Sequence, residues 1–153
     1  MGDSVIMSPG DVEKTTREVF HNIHKDHLDV PESISRVRNL LTTENLGVPK
    51  NWFHGTICGD LGCGSTVGGA YNVLKLGAKY VHAMDVDDSF METGRKILNA
   101  ESEFSGRWQL DLGSLVELPY EDEYFDFVLC QGVIHHVEDD TRAVNEICRV
   151  LKK

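Results

Sequence analysis

Thr56-Ile57-Cys58-Gly59-Asp60-Leu61-Gly62-Cys63-Gly64-Ser65-Thr66-Val67-Gly68-Gly69 reads as a short buried strand that breaks into a glycine turn and then a helix. Glycines at 62 and 64 permit a tight turn with no side chain in the way, so backbone N–H groups and the helix N-terminus can approach a ligand closely. Asp60 falls at the carboxyl end of the strand, where open parallel sheets bind ligands. A carboxylate there suits a cationic or hydrogen-bond-donating ligand better than a pyrophosphate.

The same alternation continues on either side of this stretch. Short apolar runs predict strands at 56–61, 80–85, 107–112 and 124–130, separated by helical patterns at 67–76, 88–100 and 139–152. Strands alternating with helices predict an α/β fold, a Rossmann-like open and mainly parallel sheet, over residues 51–153. Residues 1–50 read instead as an N-terminal helical segment. Ser8-Pro9-Gly10-Asp11 has the form of a helix start, and Asp29-Val30-Pro31-Glu32 repeats it before an apolar stripe of Ile34, Val37, Leu40 and Leu41. Trp52 and Phe53 are expected to pack this segment onto the domain.

A chain of 153 residues is of single-domain length and can bury on the order of 70% of its unfolded surface. Asp and Glu total 25 against 15 Lys and Arg, a net charge of -10, which argues against nucleic-acid or anionic-membrane binding and favours a small-molecule substrate. No window approaches the ~20 apolar residues of a membrane span, and the N-terminus lacks the basic and apolar regions of a leader, so a cytoplasmic location is expected. Cys58, Cys63, Cys130 and Cys148 contain no C-x-x-C pair, and neither a disulfide framework nor a metal site is expected. His21, His24 and His27 precess around a helix without an obvious fourth ligand and read as a solvated face.

Asp85 closes the second predicted strand 21 residues beyond Gly64, the spacing at which α/β folds grip a ribose diol; alternatively it belongs with Asp87 and Asp88 as a cap of the next helix. Asp111 ends the third strand beside Leu112. It is either an acceptor for an exocyclic amine, with Leu112 against the ring, or a turn acid. Cys130-Gln131-Gly132 leaves the fourth strand towards the same crevice, making Gln131 and Gly132 candidate ligand contacts. His135 and His136 follow, as a general base or as partners of the local backbone.

Taken together, these residues resemble the class I S-adenosylmethionine-dependent methyltransferases, in particular the small-molecule group. The resemblance covers about 55–153. Asp60-Leu61-Gly62-Cys63-Gly64-Ser65 is similar to the first motif, Ala83-Met84-Asp85-Val86 to the segment with the ribose-binding acid, Leu118-Pro119-Tyr120 to the stretch before the fourth strand, and Phe125-Asp126 through His135-His136 to the fourth motif. It implies a sheet of order 3-2-1-4 and S-adenosylmethionine as cofactor. The backbone at Gly62, Cys63 and Gly64 would meet the methionine part, with Asp60 towards its amino-acid end and Asp85 on the ribose hydroxyls. Val86 and Leu112 would flank adenine, Asp111 would accept from its amine, and Cys130 and Gln131 would meet the methionyl amine.

Two departures from the family pattern stand out. Thr66 replaces a third glycine, and the chain ends at Lys153, where the family continues into a Pro-Gly-Gly turn and three more strands. The expectation is a C-terminally incomplete methyltransferase whose fourth strand offers an edge for pairing with another chain. The implied reaction is methyl transfer to a small organic acceptor, with His135 or His136 as an optional base. Two alternatives are a non-catalytic, partner-completed module and an NAD-dependent oxidoreductase, whose fingerprint has glycine where this chain has Val67.

Overall fold

The computed structural model describes residues 14–15, 17–19, 21–22 and 30–153. The predicted Ser8 helix start, His24 and His27 lie outside them. Residues 14–15, 17–19 and 21–22 are helical. The predicted second helix is α1, Val30–Leu40, followed by a short α2, Thr43–Leu46, whose cap Thr42 accepts the Asn45 N–H.

β1 (Ile57–Leu61), β2 (Tyr80–Asp85), β3 (Trp108–Leu112) and β4 (Phe127–Leu129) form one sheet in the order β3-β2-β1-β4, all pairs parallel. The expected architecture and strand order are therefore those observed. α3 (Gly68–Lys75) follows β1, α4 (Met91–Asn99) follows β2, and α5 (Asp140–Val150) follows β4. Each strand sends alternate side chains to opposite faces, which divides the core in two. Cys58, Val81 and Ala83 pack with Ala70, Val73 and Leu74 of α3 on one face. Leu61, Met84 and Phe125 pack with Leu115, Leu118, Ala143 and Val150 on the other.

α1 lies along α3, where the Asn72 side chain donates to the carbonyls of Ile34 and Gly68. Phe53 is fully buried, edge-on to both Trp52 and Phe127, and belongs to the same core cluster as Val37 and Leu41.

Predicted boundaries shift where local pairing decides them. The helix expected from 88 opens as a 3-10 turn, Asp88–Phe90, capped by Asp87. The strand expected over 124–130 contracts to Phe127–Leu129 because Phe125 turns its backbone groups away from β1. Phe125 N–H donates to Val150 O and Phe125 O accepts from Lys152 N–H, while Asp126 N–H donates to Ile57 O. Leu151 is in parallel register with Phe125, so the outer edge expected to be bare is paired at its start. Among the described residues no helix is long and apolar enough to cross a membrane.

Candidate functional site

The turn after β1 is fastened to the neighbouring strand. Gly62 and Cys63 both donate their N–H to Met84 O, at 2.8 and 3.0 Å. Gly62 has φ 83° and Gly64 φ 60°, the left-handed region that glycine enters without steric cost. A Cβ at 62 would also collide with the Val133 isopropyl group, which lies over the turn.

Asp85 completes this arrangement from the end of β2. One carboxylate oxygen accepts the Gly64 N–H at 2.8 Å and the other the Asp87 N–H at 3.0 Å. Burial raises its pKa above the ordinary value, against the pull of the backbone amides. An ionised carboxylate has about four acceptor positions, so two such bonds leave acceptor capacity for a ligand.

Asp60 is 4% exposed and points under the start of α3. Its Oδ2 accepts the Ala70 N–H at 2.7 Å. The residue before the helix, Val67, has φ 43° and no side-chain capping bond, so Asp60 performs that task from the adjoining strand. Burial pushes its pKa up to about 7, opposed by the Ala70 amide and reinforced by Asp85. Thr66, at the position of the absent third glycine, meets the Ser33 hydroxyl of α1 at 2.9 Å.

A cleft with about 450 Å³ of empty space, counting the part open to solvent, lies at these strand ends. It is lined by Gly62, Met84, Asp85, Val86, Gly113, Ser114, Leu115, Val133, His136 and Val137. Of the residues singled out from the sequence, Gly62, Asp85, Val86 and His136 are on its wall. Asp60, Cys63, Gly64, Asp111, Leu112, Cys130, Gln131, Gly132 and His135 are not on that wall, although Cys63 and Gly64 belong to the turn beneath it. Sequence reasoning missed Met84, Gly113, Ser114, Leu115, Val133 and Val137. Met84 and the two valines adjoin residues it did pick, but the 113–115 segment carries no local signal.

Asp111 lies within a network of its own. Its Oδ2 is 2.8 Å from His82 Nδ1 and accepts the Tyr120 O–H at 2.9 Å, and its Oδ1 accepts from Gln109 Nε2 at 2.6 Å. Burial raises its pKa, but those three hydrogen bonds outweigh it and leave the carboxyl below the usual range. Leu112 is 60% exposed. Gln131 is exposed, and the half-buried Cys130 has its thiol pushed up to about 11 by burial and by Asp60.

His135 and His136 stand with ring centroids 3.7 Å apart in the turn Ile134–His136, His135 exposed and His136 half-buried. Burial, then the neighbouring His135, lowers the His136 pKa and favours the neutral imidazole. Across the site, His21 Nδ1 lies 3.0 Å from Ser89 Oγ, bringing the N-terminal helical residues to the loop that follows Asp85. No group of three or more His, Cys, Asp or Glu arranged to hold a metal ion occurs among the described residues.

A family model described as "Methyltransferase domain" matches residues 59–153. Demethylmenaquinone methyltransferase of Symbiobacterium thermophilum is 27% identical over 148 residues, covering 95% of this chain and 58% of that protein. An uncharacterized protein of Methanocaldococcus jannaschii is 32% identical over 92 residues, 60% of this chain and 35% of that protein. The chain thus spans about three fifths or less of these relatives' lengths. Among solved structures, Haemonchus contortus phosphoethanolamine N-methyltransferase 1, in complex with phosphoethanolamine and S-adenosylhomocysteine, matches with a TM-score of 0.72 at 16% identity. That match covers 95% of this chain and 31% of the nematode protein, and at this identity it shows the fold.

Proposed function

This chain belongs to the methyltransferase domain family, and from that premise we propose that its cleft binds S-adenosylmethionine and serves methyl transfer to a small organic acceptor. The observation that carries this reading is Asp85, a carboxylate on the wall of an otherwise largely apolar cleft, tied to the glycine turn through Gly64. The residues fit the cofactor. Asp85 retains acceptor capacity for ribose hydroxyls, and Met84, Val86, Leu115, Val133 and Val137 offer apolar surface to a base and a thioether chain.

A dinucleotide fits less well. One of the α3 amides that would face its pyrophosphate, that of Ala70, already donates to Asp60, and an ionised Asp60 would repel a second anion there.

When bound, the cofactor supplies a sulfonium methyl group, an electrophile that needs little further activation. The protein's part is then alignment of the acceptor and exclusion of water. Val133 and Val137 present apolar surface where the chain leaves β4, and keep solvent from that side. For an acceptor that must lose a proton, an imidazole nitrogen of His136 takes it. The lowered pKa keeps that ring neutral, and so able to accept, near pH 7.

Thermal unfolding of the full chain with S-adenosylmethionine, S-adenosylhomocysteine or NAD tests the reading. A ligand present at 100 times its Kd adds ~2.7 kcal/mol, so the first two should raise the midpoint and NAD should leave it unmoved. Stabilisation by NAD alone overturns the proposal. With binding established, incorporation of a labelled methyl group into a panel of amine, hydroxyl and thiol acceptors identifies the acceptor class.

A further inference from the structure

The connection from β3 to β4 contains no helix, yet it forms one side of the cleft through Gly113, Ser114 and Leu115. It is gripped further along. Ser114 and Glu117 form an antiparallel bridge, and the Glu117 N–H donates to Ser114 O at 3.3 Å. Leu118 is clamped from α5, its N–H donating to Glu146 Oε2 and its carbonyl accepting from Arg149 Nη2. Tyr120 is held from both sides. Its carbonyl accepts from Arg149 Nη1 at 2.8 Å, and its hydroxyl donates to Asp111 Oδ2 at 2.9 Å on β3. The Tyr120 ring also stands edge-on to His82 and Phe125.

We propose that Tyr120 is a positioning residue for the cleft: by joining α5 to Asp111 it fixes the loop whose first residues form the wall. On this account Asp111 serves the cofactor through Tyr120 and the 113–120 loop. The inference rests on the reading of the cleft as an S-adenosylmethionine site. Tyr124 provides an internal control. Its hydroxyl lies 3.1 Å from His82 Nε2 in the same aromatic cluster, but it makes no hydrogen bond to the wall loop or to Arg149.

The test compares Tyr120→Phe with Tyr124→Phe in the full chain, by calorimetric titration with S-adenosylhomocysteine and by amide NMR. Each variant loses one hydroxyl from the same cluster. Tyr120→Phe is expected to raise the Kd at least about fivefold and to shift the amide resonances of Gly113, Ser114 and Leu115, a size typical of indirect coupling. Tyr124→Phe should leave both unchanged. Equal weakening in the two variants, or wild-type affinity in Tyr120→Phe, overturns the inference. Should Tyr120→Phe fail to fold by circular dichroism, Asp111→Asn reads the same link and should weaken binding in the same direction, whereas wild-type affinity there counts against it. Absence of binding by the wild-type chain overturns the cleft reading and this inference together; binding by the wild type with an unmoved Tyr120→Phe overturns this inference alone.

Discussion

The Oδ2 atom of Asp60 accepts the main-chain N–H of Ala70 at 2.7 Å, and Gly69 lets the two approach, since a Cβ there would stand 2.5 Å from Asp60 Oδ1. A strand-borne carboxylate thereby occupies the helix end that would otherwise attract an exogenous anion. The turn keeps its backbone close to the cleft while one amide of the helix start is already engaged from within.

Buried as it is, Asp60 links stability to pH. Its pKa is raised to about 7 in the folded chain, so between pH ~4 and that value the folded state holds a proton that the unfolded chain has released. The unfolded state then binds fewer protons, and the Asp60 contribution to stability falls as pH rises through that window. Asp60→Asn should remove this falling component. Urea unfolding of both proteins between pH ~4.5 and ~7.5 should show a wild-type minus variant difference that shrinks with pH, by up to a few kcal/mol; parallel curves would contradict it.

Asp85→Ala should weaken binding of S-adenosylhomocysteine at least about tenfold, since charge-assisted hydrogen bonds are worth ~1.5–3 kcal/mol each. The loss has two sources, the missing ligand contacts and the Gly64 N–H left without its acceptor. An unchanged calorimetric Kd would take Asp85 out of the site.

Val133 and Gly62 should be energetically coupled. Gly62→Ala drives a methyl group into the Val133 side chain and places alanine at φ 83°, whereas adding Val133→Ala removes most of the clash and none of the backbone strain. A double-mutant cycle by denaturant unfolding should therefore give a coupling of at least ~1 kcal/mol, with the double variant still less stable than wild type by about 1 kcal/mol. Additive effects would show that the loop above the turn yields freely.

Arg149 directs its guanidinium to Glu146, Asp122 and the carbonyls of Leu118 and Tyr120. A lysine ammonium keeps the charge but cannot span those partners, so Arg149→Lys should cost about 1–3 kcal/mol in urea unfolding. A loss no larger than that of an ordinary exposed ion pair, under ~0.5 kcal/mol, would refute this account of the clamp.

Much of the fold was legible in the chain because its signals are local. Short apolar runs, helix starts and the Gly62–Gly64 turn each depend on neighbours a few residues away, and the strand order followed from the family resemblance. Asp85 was legible for the same reason, being set by its distance from the turn, and Val86 followed from the resemblance. Asp111 shows where such reasoning stops. Its position at a strand tip was readable, but the partners of its carboxylate, His82, Gln109 and Tyr120, depend on which face of the sheet it takes and on what the following loop lays against it.

By itself the amino-acid order determined the elements, their alternation and the acids placed at strand ends, because backbone sterics and side-chain periodicity act over short range. The tertiary structure alone decided that Asp60 caps α3, that Val133 covers Gly62, and that 113–115 walls the cleft under the hold of Tyr120 and Arg149. Those contacts join residues distant in the chain, and only packing the two faces of the sheet brings them within hydrogen-bonding or van der Waals reach.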